Sequence, residues 1–268
     1  GLILQKTKLA ERLLESMGYL FGEIRGGLAI STVLVGSLLA ASTGVVGASV
    51  VAMGVISLPV MLKHNYSKGL ATGTICAAGT LGQIIPPSIV LIILGDVFNV
   101  PVGDLFKAAL FPGLVLVAAY TIYILIVAYL NPQIAPAVRI ERQEGESKKS
   151  QVISALFSII PPLSLIIIVL GSIFAGIATP TESSAIGCVG AVILSLLYRK
   201  FSFSMLMESS KETVKITAMV FAILIGATAF SMVFTYTGGD MLIEEFMLSL
   251  PGDKWGFIII AMLVIMVL

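Results

Sequence analysis

Between Gly26 and Leu62 the chain runs for 37 residues without a charged side chain. One crossing of a hydrocarbon core about 30 Å thick takes about 20 helical residues at about 1.5 Å each. The stretch is too long for one crossing and barely long enough for two with a turn. Its middle reads Ala40-Ala41-Ser42-Thr43-Gly44, small, uncharged and rich in hydroxyls. A loop in water would carry charge or a longer polar run. These features favour a re-entrant helical hairpin that turns near mid-membrane and leaves by the face it entered. Such a turn is tolerated only where protein or a water-filled cavity surrounds it.

Composition places the rest of the chain in the same solvent. Of 268 residues 57% are hydrophobic and 12% charged, and the mean hydropathy is +1.06. A soluble domain carries about 25% charged residues, so this surface belongs in lipid, and nucleic-acid binding and soluble enzymology are excluded. Cys76 and Cys188 sit inside apolar runs and read as small hydrophobic residues, not as a disulfide or metal pair. The chain begins at Gly1 without a methionine and ends at Leu268 inside an apolar run, the pattern expected of a fragment.

Residues 1–25 interleave Lys6, Lys8, Arg12 and Arg25 with Glu11, Glu15 and Glu23, over leucines at near-helical spacing, as an amphipathic surface helix does. After the hairpin at 26–62 comes an uncharged stretch within 63–98. It is interrupted by Gly79-Thr80-Leu81-Gly82-Gln83-Ile84-Ile85-Pro86-Pro87-Ser88. Two prolines remove two backbone donors and push the preceding residue out of helical angles, so a membrane helix breaks near Gln83 to Ile85, with Pro86 and Pro87 placed to open the next half-helix. Further spans are expected at Ala108 to Leu130, Val152 to Ala175 (with a kink at Pro161-Pro162), Ser183 to Tyr198 and Ile216 to Tyr236. An incomplete one starts at Trp255, and an acidic connection lies around Gly239 to Asp253. If the hairpin returns to its own face and each later span crosses once, residues 1–25, 63–68, 131–151 and 199–215 share one side. They hold fourteen of the sixteen lysines and arginines, which marks that side as cytoplasmic. Two full crossings at 26–62 would give the same bias; one crossing would destroy it.

The groups a membrane enzyme needs are missing. The one histidine, His64, lies in a loop, and the apolar runs 26–62 and 69–95 hold no carboxylate or amine. Two neighbouring interruptions suit transport instead. Ser42 or Thr43 can cap a half-helix that begins near Val45, and the proline step starts another. Both half-helices present unpaired amides and a positive dipole end near the membrane centre, where an anion is the natural guest. Taken singly, Gly36, Gly44, Gly47, Gly79 and Gly82 read as packing positions; the two breaks with hydroxyls at both read together as a site. Proton-coupled carriers use titratable groups within the membrane. With only neutral oxygens at the breaks, sodium is the expected coupling ion, held by Ser42, Thr43, Thr80 and neighbouring carbonyls. Asp96 and Glu182 read as solvated span ends, and Thr179-Pro180-Thr181-Glu182 reads as a helix start.

At the small-residue hairpin Gly36 to Met61, the stretch Ala77 to Ser88 and the segment Phe174 to Glu182, the chain resembles the large membrane subunit of the TRAP transporters, the tripartite ATP-independent periplasmic carriers, over essentially its whole length. The resemblance implies an elevator-type carrier of the bacterial inner membrane that moves organic anions with sodium. It implies delivery by a periplasmic solute-binding protein and work with a small membrane subunit, fused in some members. It also implies an arm helix at 1–25 and an inverted repeat of hairpin and broken helix. Carried over, the first hairpin tip falls on Ser42, Thr43 and Gly44, and the first broken helix on Gly79, Thr80, Pro86, Pro87 and Ser88. Residues 99–151 supply a span and a cytoplasmic connection, 152–254 the helices of the second repeat, and 255–268 only the start of the second hairpin.

The expected fold is thus an all-α, multi-pass membrane protein with an elevator-type transporter fold, a re-entrant hairpin, a broken helix and an incomplete inverted repeat. The expected function is import of a small carboxylate by sodium symport, with no enzyme activity, no cofactor beyond the ion and no nucleic-acid partner. An elevator carrier of another family without a binding protein, and a structural subunit whose glycines serve packing alone, are the rivals.

Overall fold

The computed structural model describes residues 2–6, 17–18, 21–43, 46–138, 148–249 and 253–267. Every regular element among them is helical: α1 (Leu2–Lys6), α2 (Gly27–Thr43), α3 (Val46–Lys63), α4 (Lys68–Thr80), a 3-10 turn (Leu81–Gln83), α5 (Ile89–Val97), α6 (Val102–Leu130), α7 (Lys148–Phe174), α8 (Pro180–Leu197), α9 (Phe203–Tyr236), α10 (Gly239–Leu248) and α11 (Asp253–Val267). Among the described residues α6, α8 and α9 are long and apolar enough to cross a membrane. The chain divides into two compact units, Gly1–Ser209 and Ser210–Leu268.

In the first unit α2 is the central element. From Gly26 to Leu39 its residues are buried, save the half-buried Leu34 and Leu38, and it packs against α3, α4, α6 and the 3-10 turn. Its hydroxyls survive that burial by donating to carbonyls of the preceding turn, Ser31 to Gly27 at 2.9 Å, Thr32 to Leu28 at 2.8 Å and Ser37 to Leu34 at 2.9 Å. A buried hydroxyl without a partner costs about 1–3 kcal/mol, so these bonds allow polar residues inside an apolar bundle. Ser31 also reaches the Met17 carbonyl at 2.9 Å, outside the helix.

The two ends of the α2–α3 hairpin come together. The Tyr66 hydroxyl accepts from the Leu28 amide at 3.4 Å, and burial pushes that phenol up to about 12, against the lowering pull of the same bond. The strand of chain that leaves α6 crosses this base: Gly26 donates to the Ala135 carbonyl at 3.1 Å, Ser67 to Ile134 at 2.9 Å and Val138 to Gly22 at 2.7 Å. Gly26 sits at φ +78°, and a Cβ there would meet Ile124 at 3.0 Å and Ala128 at 3.1 Å, so only glycine fits. Residues 22–28, 66–67 and 134–138 thus lie together at the base of the hairpin.

The α7–α8 pair packs through a ridge of small residues on α8, Ser183, Gly187, Ala191 and Ser195, spaced by four. Ser183, Ala191 and Ser195 are buried, and the hydroxyls of Ser172 and Ser183 bond across the pair at 2.8 Å. Small residues at this spacing let membrane helices approach closely. Leu4 of α1 is buried against Ala191, and Lys6 pairs with Glu208 at 3.0 Å, which brings the first basic segment to the last. In the second unit the Phe230 and Phe234 rings stack with centroids 5.9 Å apart.

Two boundaries differ from expectation. The helix that holds the fourth ordinary span begins at Phe203, not Ile216, and its charged first turns carry the opposite-charge pairs Glu208–Lys211 and Glu212–Lys215 at the three-residue spacing that supports a helix. The acidic segment after Gly238 is largely helical, α10, with Asp240 in its first turn where the dipole favours it. Pro161 and Pro162 lie inside α7, which continues through both.

Candidate functional site

The interruption in the 63–98 region is built from capping chemistry. Ser67 caps α4, its oxygen accepting from the Leu70 amide at 3.3 Å. The helix ends at Thr80, passes through the 3-10 turn and restarts at Ile89. The restart is Ser88, not the prolines: its extended backbone stands at the N-cap, and its oxygen accepts from the Leu91 amide at 3.4 Å while its proton goes to the Gln83 carbonyl at 2.6 Å. Pro86 and Pro87 precede the cap. A serine side chain can accept an orphan amide of the first turn, which a proline cannot.

Close packing holds this break from two sides. A Cβ on Gly79 would collide with the Val50 side chain and lie 3.1 Å from the Val50 Cα and N. A Cβ on Gly36 would stand 2.7 Å from the Ala78 Cβ. Gly113 of α6 admits Ile85, whose Cγ1 would be 2.9 Å from an added Cβ. The hairpin arms therefore lie in backbone contact with the last turn of α4, and α6 backs the chain after it.

These contacts set a common level. Thr43 lies seven residues beyond Gly36 on α2, and Val46 four residues before Val50 on α3; at about 1.5 Å per residue the arm ends extend about 6–10 Å past the level of Ala78 and Gly79. That is the direction in which α4 gives way to the break. The backbone end of α2 and the start of α3 thus lie past the last turn of α4, on the side toward which the chain continues into the break, and the break itself begins about 20 Å from the base by the 13 residues of α4.

The individual side chains have distinct surroundings. Gly44, and the side chains of Ser42 and Thr43, lie outside the described residues. Gly79 is buried against Val50. Thr80 is exposed, and its hydroxyl donates to the Ala77 carbonyl at 2.8 Å, which leaves its oxygen lone pairs outward and able to accept or to face a cation. Pro86 is buried and Pro87 half-buried. Ser88 is fully buried and engaged in both directions, so its place in the structure is to fix the α5 N-terminus. Among the described residues no group of three or more His, Cys, Asp and Glu side chains is arranged to hold a metal ion. Glu182 completes a reciprocal cap, accepting from the Thr179 amide at 2.8 Å while its own amide donates to the Thr179 hydroxyl at 3.3 Å, behind Pro180 in the first turn. What the sequence pattern missed is the part of Tyr66 and of residues 134–138 in tying the hairpin base, since no local spacing links residues so far apart.

The chain matches the family model of the tripartite ATP-independent periplasmic transporter, DctM component, over residues 1–268. It is 32% identical over 269 residues to a C4-dicarboxylate TRAP transporter large permease protein of Pseudomonas aeruginosa, covering 100% of this chain and 61% of that protein. It is 32% identical over 235 residues to an ectoine TRAP transporter large permease protein of Halomonas elongata, 87% of this chain and 53% of the relative. Against an isethionate TRAP transporter permease protein of Oleidesulfovibrio alaskensis the identity is 28% over 255 residues, 95% of this chain and 39% of the relative. The chain spans about three fifths or less of the length of these relatives.

Proposed function

The chain belongs to the DctM component family of the tripartite ATP-independent periplasmic transporters, and on that premise we propose that it is the permease part of a sodium symporter that imports a small organic acid across the bacterial inner membrane. The acid arrives on a periplasmic solute-binding protein, and the permease works with a small membrane subunit. The relatives' named substrates, C4-dicarboxylate, ectoine and isethionate, set the size class. The single observation that supports this reading is the backbone contact of both hairpin arms with the last turn of α4, at Gly36–Ala78 and Val50–Gly79, where α4 ends in the break; the helix N-termini at Val46 and Ile89 are ends of the kind that attract anions.

In this reading the α3 and α5 N-termini face the anionic group, and the oxygens of Ser42, Thr43 and Thr80, with carbonyls freed by the break, face sodium. Gly44 lets the tip turn, Gly79 lets the hairpin seat on α4, and Pro86, Pro87 and Ser88 set the direction of α5. The hairpin is re-entrant, and it moves with the broken helix as an elevator against the other spans, with the remainder of the full-length protein completing an inverted repeat.

Uptake of a labelled C4-dicarboxylate into proteoliposomes holding the full-length permease and its small subunit tests this. Flux is expected to require both a sodium gradient and the cognate binding protein, and Ser42→Ala or Thr43→Ala to raise the sodium concentration needed for half-maximal flux. Flux that ignores sodium, or that proceeds undiminished without the binding protein, would refute the proposal.

A further inference from the structure

The exposed faces of α4 and α6 differ in kind. On α6, past Asp104 and Lys107 near its start, the exposed face carries large apolar residues, Phe111 at 74%, Leu114 at 54%, Ile122 at 55% and Ile126 at 52% among them, beside the smaller Ala118 and Ala119. That is a lipid-facing surface. On α4 the exposed positions after the first residue, Lys68, are Gly69, Thr72, Gly73, Cys76 and Thr80. A Cβ on Gly69 or Gly73 would meet nothing within 4 Å, so these glycines, unlike Gly36 and Gly79, are not explained by any neighbour described. Glycine in a helix interior costs about 0.5–1 kcal/mol relative to alanine, and small residues spaced by four, here Gly69, Gly73 and Ala77, allow another helix backbone to approach.

A second observation marks the same place. Between α4 and α6 lies a groove of about 690 Å³, lined by Gly73, Thr74 and Ala77 on one wall and by Tyr120, Tyr123 and Ile124 on the other. Thr74 is 5% exposed and lines this groove, and its hydroxyl has no hydrogen-bond partner among the described residues. An acyl chain offers a hydroxyl nothing, whereas a helix with a polar side chain or a locally freed carbonyl can satisfy it.

We propose that the Gly69–Gly73–Ala77 face of α4, with the α4–α6 groove beside it, is the seat of a transmembrane helix from the part of the full-length permease outside residues 1–268. The relatives supply the polypeptide for it: residues matched here make up 61% of the Pseudomonas aeruginosa protein and 53% of the Halomonas elongata protein. A lipid occupant would call for large apolar residues on α4, as on α6. The seat needs only family membership and neither sodium coupling nor a particular substrate, so a failed uptake assay leaves it standing.

The test replaces Gly73 with the photo-cross-linking amino acid p-benzoylphenylalanine in the full-length permease in native membranes, with Ile126 as the lipid-facing control. Irradiation, digestion and mass spectrometry are expected to join position 73 to a peptide of the same polypeptide outside residues 1–268, and position 126 to no such peptide. If the Gly73 variant fails to insert, the same substitution at Cys76, one turn onward on the same exposed face, carries the test. A lipid adduct, an adduct to the small subunit or a second permease copy, or products confined to residues 1–268 would overturn the proposal.

Discussion

Gly36 and Ala78 offer a size swap that tests how the hairpin seats on the broken helix. A methyl on Gly36 would stand 2.7 Å from the Ala78 Cβ, against about 3.5 Å or more for two carbons in contact, so α2 and α4 would have to part by about 0.8 Å. Overpacking of this kind costs about 1–3 kcal/mol. Alanine gains about 0.5–1 kcal/mol over glycine in a helix interior, which leaves Gly36→Ala destabilising by about 1 kcal/mol. Ala78→Gly loses that helix preference and a buried methyl worth about 0.8 kcal/mol, near 1.5 kcal/mol together. In the double variant the methyl crosses from α4 to α2, the clash is gone, and the helix terms cancel. The singles add to about 2.5 kcal/mol of loss and the double to about zero, a coupling of about 2.5 kcal/mol, within the range for residues in contact. Equilibrium unfolding of the full-length permease in mixed micelles measures all four forms. Strict additivity, with a coupling below about 0.5 kcal/mol, would refute the packing described here. Uptake should follow the same pattern, lowered in each single and recovered in the pair.

Ser88→Ala removes the α5 cap and leaves the Gln83 carbonyl without its hydroxyl donor, and should cost about 1 kcal/mol, read as a lower midpoint in the same unfolding assay; an unchanged midpoint would show that the cap carries no weight. Tyr66→Phe deletes the hydroxyl that meets Leu28. Burial raises that phenol from 10.0 to about 12, so the folded state favours the protonated form; the stability this contributes is whole below pH 10 and is lost as pH climbs from 10 to about 12. The stability difference between wild type and Tyr66→Phe should be flat from pH 6 to 9 and shrink above 10, and a difference that changes between pH 6 and 9 would contradict it.

The coarse architecture was legible because its signals are local. Uncharged length, the prolines after Ile85 and the Thr179-Pro180-Thr181-Glu182 cap each act within a few residues of themselves. The register of the hairpin was not legible. Nothing adjacent to Gly36 names Ala78 as its neighbour, and nothing adjacent to Tyr66 names Leu28, since such pairings are decided by which apolar faces meet when the bundle closes. The proline step also misled by a short distance: a proline at a helix start is a good general guess, but a serine immediately after two prolines can accept an amide that they leave orphaned, so the helix waits for Ser88.

The glycines show most plainly what a local pattern leaves open. In the sequence Gly36, Gly47, Gly73 and Gly79 are alike, each a small residue in an apolar helix. In the folded chain Gly36 and Gly79 are shut against Ala78 and Val50, while an added Cβ at Gly47 or Gly73 would meet nothing within 4 Å. A shut glycine is accounted for by the neighbour it admits. An open one in a helix interior forgoes about 0.5–1 kcal/mol relative to alanine with no contact in return, and does so on α4 beside a groove into which a buried threonine hydroxyl opens. The shut pair fixes how the hairpin seats on α4; the open Gly73 lies on the face of α4 proposed to seat a further helix of the full-length permease.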